Sequence, residues 1–112
     1  NMVLAGKKFE VKSTPAEVGE WTARVLKACC PKELAGVVFL SGGQSVEQAT
    51  ENLQAVTNHG PFPFNVTFSY ARALQEPALN AWGGNNENAE AAKEAFLSRL
   101  VANCKALVKN RL

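Results

Sequence analysis

The run Gly36-Val37-Val38-Phe39-Leu40-Ser41-Gly42-Gly43-Gln44-Ser45 changes character twice. Gly36 to Leu40 is continuously apolar, with no polar face, which predicts a strand buried on both sides. Ser41-Gly42-Gly43 breaks that strand. Ser45, with Gln48 three residues on, has the form of a capping box and opens a helix. Val46, Ala49, Leu53 and Val56 supply its inner face, and Asn58-His59-Gly60-Pro61 ends it. The pattern is strand, tight polar loop, helix.

The same pattern extends in both directions. Upstream, Asn1-Met2-Val3 reads as the last residues of a strand, followed by a loop through Gly6, Lys7 and Lys8. Thr14-Pro15-Ala16-Glu17 then combines a capping hydroxyl, a proline at the first helical position and a box-closing glutamate. Val18, Trp21, Thr22, Val25, Leu26 and Cys29 follow at helical spacing as one apolar stripe, up to Pro31. Downstream, Phe64, Val66 and Phe68 alternate with Asn65, Thr67 and Ser69, which is the period of a strand. A short helical piece holds Leu74, Pro77, Leu79 and Trp82 before Gly83-Gly84. A final helix is expected from about Asn88 to Lys109. Trp21 and Trp82 are expected to pack. Arg99, Lys105, Lys109 and Arg111 are expected on its solvated face, with cations favoured towards the C-terminus.

Alternating strands and helices predict an α/β fold with parallel strands and helical crossovers. Three such strands cannot cover both faces and both edges of their sheet, so the chain reads as part of a larger (β/α) barrel or open α/β sheet. No linker divides its 112 residues, so residues 1–112 form a portion of one domain. With 46% hydrophobic and 20% charged residues, the chain is neither disordered nor a disulfide-dense mini-protein. The formal net charge of +2 is too small and too scattered for a nucleic-acid partner, and no apolar run is long enough to span a membrane. Cys29, Cys30 and Cys104 lack paired spacing. With His59 the sole histidine, no zinc site or other metal is expected, and the default is partly buried thiols in a reducing cytoplasm.

Chemistry is expected at two strand ends. Ser41, Gly42 and Gly43 place a hydroxyl and a backbone open to close approach between a strand and a helix start. Ser69, Ala71 and Arg72 offer a second hydroxyl, a backbone N–H and a guanidinium able to hold a phosphate with two parallel hydrogen bonds. Phosphate sites in barrels of eight strands often lie after the last two strands, beside a short extra helix. His59 reads as a solvated loop residue, and Lys7 and Lys8 as surface lysines within reach of a ligand.

Asn1-Met2-Val3, Phe39-Leu40-Ser41-Gly42-Gly43-Gln44-Ser45, Phe68-Ser69-Tyr70-Ala71-Arg72-Ala73-Leu74-Gln75 and Ala81-Trp82-Gly83-Gly84 with Glu87-Asn88 together resemble class I fructose-bisphosphate aldolase. The likeness is collinear and covers essentially the whole chain. It implies the C-terminal three βα units of a TIM (β/α)₈ barrel, from the end of strand six to the final helix. It implies a glycolytic lyase that reversibly cleaves fructose 1,6-bisphosphate to dihydroxyacetone phosphate and glyceraldehyde 3-phosphate through a lysine Schiff base, with no cofactor or metal. Carried over by position, Ser41, Gly42, Gly43, Ser69 and Arg72 would bind a substrate phosphate, assisted by the N–H of Ala71. Ala71 stands where many members have glycine, so that contact requires a negative φ.

The family's Schiff-base lysine belongs to a Lys-Pro-Asn-Met-Val run, and this sequence begins at the Asn. The lysine is therefore expected upstream of Asn1, and the chain alone is expected to be inactive. Its expected partners are the sugar-phosphate substrate, the remaining N-terminal barrel strands and, in the whole protein, copies of itself in a homo-tetramer. Alternative readings are a non-catalytic sugar-phosphate-binding half-barrel, or a fragment that interacts through open sheet edges.

Overall fold

A computed structural model describes residues 1–108. In chain order the elements are α1 (Pro15–Cys29), β1 (Gly36–Phe39), α2 (Val46–Thr57), β2 (Asn65–Phe68), α3 (Arg72–Trp82), a 3₁₀ turn (Asn86–Asn88) and α4 (Ala89–Ala106). The class is α/β, and the two strands pair in parallel, Val37 opposite Val66 and Phe39 opposite Phe68.

The helix starts form as their sequences dictate. Thr14 Oγ1 accepts from Glu17 N at 3.2 Å while Glu17 Oε2 accepts from Thr14 N at 2.8 Å. Ser45 and Gln48 make the same reciprocal pair at 3.1 and 2.9 Å. Each box satisfies two N–H groups that a helix start leaves without carbonyl partners.

One sheet face carries Val37, Phe39, Val66 and Phe68, which pack with Val18, Leu26, Leu53, Val56 and Phe64 in the core. The other face carries Val38, opposite Thr67, and it is open: Val38 is 58% exposed. The expectation that β1 is buried on both sides is corrected here. Burial of a second face requires another layer or neighbouring strands, and the described residues supply only one layer of helices.

The expected strand at Asn1-Met2-Val3 does not form. A strand exists through its ladder, and here the backbone is satisfied by side chains: Val3 N donates to Thr22 Oγ1 at 3.0 Å and Met2 N to Asn1 Oδ1 at 3.0 Å. Met2 is nonetheless buried in the core.

The inner face of α1 is also rotated from the expected stripe. It is Val18, Gly19, Thr22, Ala23 and Leu26, whereas Trp21 and Val25 are 51% and 47% exposed and Cys29 is exposed. The cause is a close approach to α2: a Cβ on Gly19 would lie 2.7 Å from the backbone of Ala55. Small residues therefore turn towards α2 and the indole turns out, where the Arg24 guanidinium lies 4.8 Å from its ring centre. Trp82 is likewise half exposed rather than packed, beside Leu79, Phe96 and Leu97 on an open groove between α3 and α4.

The thiols are free, and Cys29 and Cys104 are exposed rather than partly buried. Arg99 is not on a solvated face. Its Nη2 donates to Val46 O at 3.0 Å and to Thr50 Oγ1, tying α4 to the first turn of α2. Asn103, fully buried, completes this contact by accepting from Thr50 Oγ1 at 2.8 Å. Lys105 is exposed as expected, and Lys109 and Arg111 lie outside the described residues. No helix among the described residues is long and apolar enough to cross a membrane.

Candidate phosphate-binding cleft

Both loops of interest leave the C-terminal ends of the parallel strands. After β1, Gln44 N donates to Ser41 O at 3.1 Å and closes a turn around Gly42 and Gly43. Gly43 sits at φ +79°, in the left-handed region where a Cβ clashes with the following carbonyl. Asn1 Nδ2 donates to Gly42 O at 2.8 Å and pins the turn from the side.

After β2, Ser69 N donates to Phe39 O at 2.8 Å, so the ladder continues one step beyond the strand. Tyr70 then turns inward. It is buried, and its hydroxyl donates to Ala49 O at 2.8 Å. Burial in apolar surroundings pushes the phenol pKa well above its ordinary value. Ala71 caps α3 with φ −98°, the negative value that the backbone contact requires. The N–H groups of Arg72 and Ala73 open α3 and have no helical carbonyl to donate to.

These two strand ends meet in one cleft of about 270 Å³ lined by Ser41, Gly43, Gln44, Arg72, Glu76 and Lys7. The structure thus brings Ser41, Gly43 and Arg72 together. Gly42 belongs to the same turn but faces Asn1, and Ser69 and Ala71 stand exposed at the adjacent strand end rather than in the cleft wall. Two features were not foreseen from sequence, and a third, Lys7, was foreseen only as a surface lysine within reach of a ligand. Gln44 lines the cleft and accepts from Asn52 Nδ2 at 2.8 Å; Glu76 adds a carboxylate one helical turn after Arg72; and Lys7 enters from the N-terminal loop. The spacing of Arg72 and Glu76 on a helix could have revealed that pair. The position after the expected strand end put Lys7 and Lys8 alike within reach of a ligand, and nothing local distinguished the two. Lys8 is exposed and does not line the cleft, and His59 is an exposed loop residue whose carbonyl accepts from Lys27 Nζ at 3.0 Å.

Chemically, the cleft combines hydroxyl and backbone donors with a guanidinium and an ammonium, a donor set that suits a phosphate. Among the described residues no three His, Cys, Asp or Glu side chains cluster as a metal ion would need.

Comparison with known proteins is consistent across sequence and structure. A family model described as fructose-bisphosphate aldolase class-I matches residues 1–110. A fructose-bisphosphate aldolase of Plasmodium falciparum is 50% identical over 103 residues, covering 92% of this chain and 28% of the relative. A cytosolic fructose-bisphosphate aldolase of Arabidopsis thaliana is 47% identical over 107 residues, covering 95% of this chain and 27% of its own. A chloroplastic one of Oryza sativa is 47% identical over 103 residues, covering 92% of this chain and 26% of that protein. The crystal structure of a Plasmodium falciparum fructose-bisphosphate aldolase, in complex with TRAP and a small-molecule inhibitor, superposes with a TM-score of 0.92 at 47% identity, over 97% of this chain and 31% of that one. The chain therefore spans between a quarter and a third of the length of the relatives it matches.

Proposed function

The chain belongs to the class I fructose-bisphosphate aldolase family, and on that premise we propose that it is the C-terminal part of an aldolase barrel, the part that holds a substrate phosphate. The reaction of the whole protein is the reversible cleavage of fructose 1,6-bisphosphate to dihydroxyacetone phosphate and glyceraldehyde 3-phosphate, through a Schiff base on a lysine upstream of Asn1. Within this chain, Ser41 Oγ, the turn at Gly42 and Gly43, Ser69 Oγ, the N–H of Ala71 and the Arg72 guanidinium donate to the phosphate. That contact orients the substrate carbonyl towards the lysine and spends binding energy on position rather than on bond making. The nucleophile is assigned upstream because the family's lysine belongs to the Lys-Pro-Asn-Met-Val run, and Lys7 and Lys8, exposed in a loop, do not match that motif.

The observation that carries this reading is the meeting of Ser41, Gly43 and Arg72 in one cleft at the C-terminal ends of two parallel strands. In barrels of this kind ligands are bound at that end of the sheet. The open face bearing Val38 is the second supporting observation. In the proposed barrel of ~250 residues it looks into the interior, and the sheet edges pair with the remaining N-terminal strands. Within that reading the whole protein works as a homo-tetramer in the cytoplasm.

Two experiments test the proposal. An antibody raised against a peptide from Phe96 onward, used on extracts of the source, is expected to detect a polypeptide several-fold heavier than this chain; a band at the chain's own mass overturns the barrel. Borohydride with dihydroxyacetone phosphate is expected to trap no adduct on the isolated chain; a reduced adduct on Lys7, Lys8 or any other lysine overturns the assignment of the nucleophile.

A further inference from the structure

The loop that carries Lys7 is built to hold its position. Phe9 N donates to Gly6 O at 2.9 Å, Ala5 N to Ser13 Oγ at 3.0 Å, and Lys12 Nζ to the carbonyl of Lys7 itself at 2.8 Å. The loop so closed brings Lys7 into the wall of the cleft formed by Ser41, Gly43 and Arg72, whereas its neighbour Lys8 stays outside. The cleft also contains Glu76, so Arg72 alone would leave it close to neutral. A phosphate monoester carries nearly two negative charges at neutral pH and is poorly matched by a neutral cleft.

Resting on the phosphate-binding reading above, we propose that Lys7 is the second cation of this cleft and binds the substrate phosphate together with Arg72. The two side chains divide the work. Arg72 offers a planar fork that fixes orientation, and Lys7 offers a compact charge on a flexible stem that follows the phosphate. Glu76 opposes both and sets an upper limit on affinity.

The test is calorimetric titration of the native polypeptide with inorganic phosphate and with dihydroxyacetone phosphate, on Lys7→Gln, Lys7→Arg, Lys8→Gln, Arg72→Gln and Glu76→Gln. Lys7→Gln is expected to weaken both ligands about tenfold, the scale of one charge-assisted contact, with an unchanged thermal midpoint. Lys7→Arg should keep the affinity, Lys8→Gln should match the parent, and Glu76→Gln should bind more tightly. If Lys7→Gln binds as the parent does while Arg72→Gln loses affinity, the phosphate site stands and the role of Lys7 is overturned. Equal losses in Lys7→Gln and Lys8→Gln would reveal a diffuse field rather than a contact and overturn it as well. If Arg72→Gln has no effect, or the parent binds neither ligand, the phosphate reading itself fails and the proposal falls with it.

Discussion

At the scale of single residues, Gly43 and Tyr70 carry opposite obligations. Gly43 must keep a positive φ for the turn at the cleft, and there is open space around its missing side chain. Gly43→Ala therefore costs about 1–2 kcal/mol through backbone conformation alone. Denaturant titration should show that loss, and phosphate affinity should fall with it as the turn relaxes. Tyr70 instead needs its proton. Its buried hydroxyl donates to Ala49 O, and burial raises its pKa above the ordinary value of 10.0. The folded chain keeps the proton where the unfolded chain would release it. The stabilisation is complete below pH ~10 and is lost as the pH rises beyond it. Stability measured across that range should fall more steeply for the parent than for Tyr70→Phe, which itself should cost about 1 kcal/mol at neutral pH. An equal slope in both proteins would refute this account. That Ser41, Gly43 and Arg72 share one cleft was legible because each closely follows a strand and the two strands pair in parallel, although Ser-Gly-Gly by itself is a common turn. Lys7 was legible only as a surface lysine within reach of a ligand, because what sets it apart from Lys8 is a loop closed by Lys12 and residues distant in sequence.

At the scale of elements, the capping boxes at Thr14 and Ser45 were readable because they are satisfied entirely within four residues. The facing of α1 was not. Helical spacing marked Trp21 and Val25 as inward, yet what selects the face is contact with α2, where Gly19 meets the Ala55 backbone. Gly19→Ala should therefore destabilise the chain by ~1–3 kcal/mol, despite alanine's better helix propensity, because the backbones must part. A gain in thermal midpoint would show that the helices are free to separate. The strand expected at Asn1-Met2-Val3 failed for a related reason, since a ladder belongs to a pair of segments and no single segment encodes it. The open side of β1 makes the same point. Gly36 to Leu40 is apolar enough for two buried faces, and the number of faces actually covered is set by the elements around it.

At the scale of the whole molecule, the described fold is a slab, 49 × 36 × 18 Å, with a radius of gyration of 15.3 Å. A compact domain of this length has about 13 Å. Among the described residues the sheet has two strands and one open face, and Leu79, Trp82, Phe96 and Leu97 add an exposed apolar groove on the helical side. The isolated chain is therefore expected to self-associate as its concentration rises, with sedimentation velocity giving a mass above the monomer. A strictly monomeric chain at every concentration would count against this open face and groove as sticky surfaces. Within the slab, α4 reaches the cleft without lining it. Arg99 holds the carbonyl of Val46, and Val46 is itself part of the cleft wall. A change at position 99, on a helix that never lines the cleft, would therefore be felt first as a shift in the shape of the cleft wall.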